Sequence, residues 1–126
     1  MKKLLLGALL LLGSFVAMAQ DTFVVQYHSL ITTRDNVKEP WQDTKMTAVF
    51  NEKDSNDLVL YYGEGKIIRY KRTGRVEKNK TNDDAEYQYA EYVDSEDGTN
   101  VGIQYFNSTE TLRVIIADGW YVEFHK

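Results

Sequence analysis

The stretch TLRVIIADGWYVEFHK, Thr111 to Lys126, decides the fold. Leu112, Val114 and Ile116 occupy every second position up to the Ala-Asp-Gly turn, and beyond it Trp120, Val122 and Phe124 alternate with Tyr121, Glu123 and His125. A period of two belongs to a strand with one face on a core and the other toward water. Asp118 and Gly119 are residues that tolerate the backbone of a tight turn, so the two runs are antiparallel neighbours.

Working back from there, the same alternation recurs. NVGIQYF sets Val101, Ile103 and Tyr105 on one face, DLVLYYG sets Leu58, Leu60 and Tyr62, and MTAVFN sets Met46, Ala48 and Phe50. Thr22 to Thr32, TFVVQYHSLIT, is β-branched and aromatic, the composition of a strand. Between the runs lie NEKDSND, GEGK, SEDGTN and NSTE, whose Gly, Asn and Asp residues suit turns. No helical period is sustained after residue 19. The single proline, Pro40, sits in the polar crossover TRDNVKEPWQDTK, where a short helical turn is expected. The prediction is an all-β, single antiparallel meander of about 7–8 strands, either a small lipocalin-like barrel or a two-sheet sandwich.

The N-terminus has a different character. Lys2 and Lys3 precede an apolar run from Leu4 to Val16, and Ala17-Met18-Ala19 offers the small-x-small pattern of a signal-peptidase site. The run is short for a membrane span, so residues 1–19 are expected to be a cleaved signal peptide, with residues 20–126 forming one all-β domain. Export to the periplasm or the extracellular space follows, without an integral membrane anchor. Losing Lys2 and Lys3 leaves 13 basic against 19 acidic residues, a balance that speaks against nucleic acid as a partner. There is no cysteine, so stability falls to the hydrophobic core, and thiolate chemistry is excluded.

Two charged blocks stand out. Lys66 to Lys80, KIIRYKRTGRVEKNK, holds seven bases and one acid, and Asp83 to Asp97, DDAEYQYAEYVDSED, holds seven acids and no base. Folded back at NKTNDD, they form an antiparallel hairpin in which Arg72 falls opposite Glu91 and Arg69 near Asp94, unless a bulge at Gly74 shifts the register by one. In this arrangement the blocks serve each other and keep an edge solvated. The functional alternative has Arg69, Lys71, Arg72 and Arg75 grip an anionic envelope lipid or polysaccharide.

Aromatic residues offer a second set of candidates. Along EYQYAEYV, Tyr87 and Tyr89 share a face with Val93, while Tyr92 shares the other with Gln88 and Ala90. Such rings can stack on a sugar or a flat ligand, and Trp41, beside Pro40, is placed for a lid or rim, so Trp41, Tyr87, Tyr89 and Tyr92 are the candidate ligand contacts. Trp120 is expected in the core. His28 and His125 have no ligand at metal spacing, and none of the hydrolase, zincin or phosphate-loop motifs occurs, so neither catalysis nor a cofactor is expected. The acidic turns DSEDG and DSND lack the spacing of a calcium loop and read as ordinary Asx turns.

The signal ending AMA and Gln20, the run VFNEKDSNDLVLYYGEGKIIRY, the charged hairpin, DSEDG and the closing GWYVEFHK together resemble small exported all-β proteins of Bacteroidota. That resemblance implies export and an all-β fold, and it transfers no site residue. A lipocalin would carry G-x-W near its mature start, whereas the Gly-Trp neighbours here are Gly119 and Trp120. The functional expectation is a non-enzymatic binding module for a small apolar or glycan-like ligand. The alternative is a structural or protein-interaction component of the envelope that uses the hairpin 66–97.

Overall fold

A computed structural model describes residues 22–52 and 56–126. The expected signal peptide lies outside the described residues. The described chain is all-β and has no helix. Its strands are β1 (Phe23–Arg34), β2 (Val37–Lys38), β3 (Gln42–Phe50), β4 (Asp57–Tyr62), β5 (Ile67–Arg72), β6 (Glu77–Lys80), β7 (Glu86–Asp94), β8 (Asn100–Phe106), β9 (Thr111–Ala117) and β10 (Trp120–His125). Eight of them, all except β2 and β6, close into an antiparallel barrel. This resolves the choice between barrel and sandwich in favour of the barrel.

Closure depends on β1. Its first half pairs with β3, from Phe23↔Phe50 to Tyr27↔Met46, and its second half pairs with β10, from Ser29↔His125 to Thr33↔Tyr121. A bulge between Tyr27 and Ser29 bends the strand so that it serves both neighbours, which abolishes the free edge an open meander would leave. The other pairs follow chain order, as a meander requires.

The crossover 33–45 carries no helical turn. β1 runs on to Arg34, and Asp35 and Asn36 both take positive φ, 53° and 63°. Two central residues with φ above zero make a type I′ turn, whose twist matches the flanking strands, so the chain returns immediately as β2. The polarity that looked like a helical crossover belongs to a two-residue hairpin loop.

Pleat alternation sorts the side chains. Val25, Tyr27, Met46, Ala48, Leu58, Leu60, Ile103, Leu112, Val114 and Phe124 point inward and are buried. Rings fill much of the interior: Phe124 meets Tyr27 at 6.0 Å and Tyr62 at 6.4 Å between centroids. Each such side chain contributes about 1.5–3 kcal/mol when fully buried, which is how a cysteine-free chain holds together. The Tyr27 hydroxyl donates to the Glu110 carbonyl at 2.6 Å, tying β1 to the β8–β9 turn across the interior. Trp120 is a correction: it is only half-buried, with the Arg34 guanidinium 5.0 Å above its ring, and it stands outside the core cluster.

Candidate functional site

The charged hairpin forms, with a register one residue from the simplest pairing. Arg72 lies opposite Tyr92 and Tyr70 opposite Asp94. Pairing resumes at Glu77↔Tyr89, so residues 73–76 face only Ala90 and Glu91 on β7. The two extra residues bulge, and the amides of Thr73 and Gly74 both donate to the Glu91 carbonyl, at 2.8 and 3.3 Å. Gly74 lies in this bulge, which holds two extra residues rather than the single one expected. The expected ion pairing across the hairpin is corrected: Arg69 reaches Glu52 at 3.9 Å, and Asp94 accepts the amide of Glu96 at 2.8 Å within its own turn.

Behind this bulge the wall gapes. A cavity of about 400 Å³ opens there, at the end of the barrel where β3 turns toward β4. Its floor is Ala90, Ile103 and Tyr92, and Ala90 matters because a methyl stands where a neighbour of ordinary size would fill the space. One side is an aromatic cluster. Phe23 stacks on Phe50 at 4.5 Å with planes 8° apart, and Tyr105 meets them edge-on at 5.7 and 5.4 Å. Phe23 remains 41% exposed, an apolar lip on the opening. Val76, in the bulge, is likewise exposed and lines the cavity.

Polar groups gather at the rim: Arg72, Lys78, Gln88 and Asn51. Arg72 shares its pleat face with Ile68 and Tyr70, so it turns toward the cavity, unlike Arg69 and Lys71, which are exposed. Its guanidinium donates to the Gly74 carbonyl at 2.9 Å and to Asn56 Oδ1 at 2.8 Å. Burial raises the pKa of the Tyr92 hydroxyl, with Arg72 pulling down and Asp57 pushing up. Burial, then the nearby Glu110, raises that of Tyr105. Both phenols therefore stay protonated at neutral pH.

The four aromatic candidates separate. Tyr92 is buried and lines the cavity. Tyr87 and Tyr89 stand on the opposite pleat face, but Tyr89 also lines the cavity. Tyr87 packs on Phe106 at 5.6 Å, and Tyr89 lies over Gly102, where an added Cβ would come within 2.6 Å of its hydroxyl. Trp41 is exposed and meets His125 edge-on at 4.8 Å. The four basic candidates separate too: Arg72 faces the cavity, while Arg69, Lys71 and Arg75 are exposed. Phe23, Phe50, Ala90 and Tyr105 were not singled out from the sequence, although Ala90 between Gln88 and Tyr92 marked a small residue on the inward face.

On the outer wall, Arg113 binds Glu123 through Nε at 2.9 Å and stacks over Tyr121 at 4.5 Å. His125 Nε2 lies 2.7 Å from the other Glu123 oxygen. Burial alone would raise the Glu123 pKa, but the hydrogen bonds and charges of His125 and Arg113 prevail and hold it below the usual carboxylate range. In the DSEDG turn, the Asp97 carboxylate accepts the Thr99 amide at 2.9 Å, which lowers its pKa. Among the described residues, no three His, Asp or Glu side chains are grouped to hold a metal ion, and no helix is long and apolar enough to cross a membrane.

Compared with known proteins, the chain matches no family model, and no curated protein or solved structure is significantly similar to it.

Proposed function

We propose that this chain is an exported, non-enzymatic binding module that takes a small apolar molecule into the open end of its barrel. The observation that carries this is the cavity of about 400 Å³ floored by Ala90, Ile103 and Tyr92, with the exposed, stacked Phe23 at its lip. That volume falls in the range of small-molecule sites, about 300–1,000 Å³, which are lined mostly by apolar and aromatic groups with a few polar ones. Filling such a site removes apolar surface of ligand and protein from water together. The glycan alternative rested on a row of exposed tyrosines. It has less support, because Tyr87 packs against Phe106 and Tyr89 over Gly102, and of the two only Tyr89 lines the cavity.

The test uses N-phenyl-1-naphthylamine, an uncharged dye that fluoresces when it leaves water. The protein should enhance its emission saturably, and Ala90→Leu, which adds bulk to the floor, should abolish the enhancement while the protein still melts cooperatively. Saturable binding that Ala90→Leu leaves intact places the dye elsewhere and overturns the proposal, as does an absence of binding.

A further inference from the structure

Building on the apolar cavity proposed above, we infer that its natural ligand carries a carboxylate on an apolar body, received at the rim by Arg72 with the Tyr92 hydroxyl as second donor. Inward-facing arginine is costly at the wall of an apolar cavity unless its charge is answered. Arg72 is half-buried, and its two side-chain hydrogen bonds go to neutral oxygens, the Gly74 carbonyl and Asn56 Oδ1. Among the described residues, no carboxylate lies within ion-pair distance of it.

The donor count points the same way. A guanidinium carries five N–H donors in a planar fork. The two bonds use one N–H on Nη1 and one on Nη2, so Nε and one N–H on each Nη are left for a guest. That suits the two oxygens of a planar carboxylate, which binds such a fork through paired charge-assisted hydrogen bonds.

Tyr92 is the independent observation. It is only 7% exposed, sits directly across from Arg72 in the β5–β7 pairing and lines the same cavity. Its hydroxyl is not among the buried side-chain atoms left without a partner in the described residues, so solvent reaches it at the cavity. An O–H that solvent reaches, on the strand across from Arg72, is a donor that the head group of a guest can take over from water. Lys78, exposed on the rim and paired across from Gln88, adds a second positive charge near the entrance. These cations meet at the mouth of a protein whose overall charge is negative, so the local sign is not inherited from composition.

Octanoate and octan-1-ol, matched in chain length and differing in head group, are titrated at pH 7.4 against bound N-phenyl-1-naphthylamine. Octanoate should displace the dye at about tenfold lower concentration or less, the advantage expected of a hydrogen-bonded ion pair over a hydroxyl. Arg72→Gln should bring the acid-to-alcohol displacement ratio down to about one, whatever its effect on dye affinity, and Arg72→Lys, which keeps the charge, should retain part of the preference. Equal displacement by acid and alcohol in the native protein would overturn the charge inference and leave the apolar site standing. Failure of the dye itself to bind would overturn the site, and this inference with it. Should Arg72→Gln fail to fold, the native acid-to-alcohol ratio and its decline with added salt decide the matter.

Discussion

Glu123→Gln tests whether the outer wall is held by charge or by shape. Glu123 sits on β10 opposite Arg113 of β9, its side chain 16% exposed and that of Arg113 27% exposed. One oxygen receives Arg113, and the other faces His125 Nε2 at 2.7 Å. Glutamine keeps the shape but loses the charge, and it sets an amide N–H₂ against one of those two donors. Exposed ion pairs contribute about 0.2–1 kcal/mol, and buried hydrogen bonds to a charged group about 1.5–3 kcal/mol. Partial burial puts this substitution between them, at about 1–2 kcal/mol. For a domain of this size that is a fall in Tm of roughly 5–12 °C at pH 7, read by circular dichroism.

The pH dependence is the sharper half. The folded pKa of Glu123 is depressed by its partners. Its contribution is therefore fully present above the unfolded value, about 4.3, and is lost as pH falls through the folded one. The Tm difference between native protein and Glu123→Gln should hold steady down to about pH 5 and close as the pH drops further. A difference unchanged at pH 3 would refute the electrostatic account and assign the loss to packing.

Two further outcomes are expected. Gly98 and Gly119 both have positive φ, 78° and 74°, but an added Cβ meets nothing within 4 Å at Gly98 and lies 3.0 Å from Asn36 Oδ1 at Gly119. Chemical denaturation should give about 1–2 kcal/mol for Gly98→Ala from backbone strain alone and a larger loss for Gly119→Ala, and equal losses would deny the Asn36 contact. Burial pushes the Tyr70 hydroxyl up to about 12 and raises Tyr27 further. Since raised folded values favour the protonated protein, this stability is present below about pH 10 and is lost as pH climbs, so Tm should fall above pH 10. Ultraviolet titration should show a late-ionising class of tyrosines whose last member disappears in Tyr27→Phe. Joint titration of all nine near pH 10 with the strands intact would contradict this.

The walls of the barrel were legible because alternation survives in nearly every strand, and β8, β9 and β10 fall where Val101, Leu112 and Trp120 begin their runs. Closure was not, because the β1–β10 pairing turns on a bulge between Tyr27 and Ser29 that no glycine or proline announces. Pleat parity separated Tyr92 from Tyr87 and Tyr89, but parity alone does not say which face is inside; the partner strands decide that. Arg72 had a usable signal. It follows Ile68 and Tyr70 at spacing two, so the periodicity that built the strand also turned the charge inward, against the usual assignment of arginine to the surface. The helical turn expected around Pro40 failed because Asp35-Asn36, a type I′ pair, was submerged in a polar segment.

Three departures from a well-filled barrel meet at one place, and each costs something by itself. The bulge at 73–76 gives up regular ladder pairing between β5 and β7. Ala90 gives up volume where Leu58, Leu60 and Leu112 fill the interior elsewhere. Arg72 places a cation on a face that Ile68 and Tyr70 make apolar. Stability alone would select against all three, since a flush strand, a larger side chain and an apolar residue are each one substitution or one deletion away. They do not compensate one another either: the bulge does not fill the space that the alanine leaves, and that space lies beside the arginine. Their coincidence is economical only if something enters from outside, its apolar body covering Ala90 and its head group answering Arg72. The Ala90→Leu and Arg72→Gln variants separate those two contributions, because the first closes the space and the second leaves it open but uncharged. A native protein stabilised by octanoate, an Ala90→Leu protein indifferent to it and an Arg72→Gln protein that no longer prefers it to octanol is the pattern that only an occupied cavity produces.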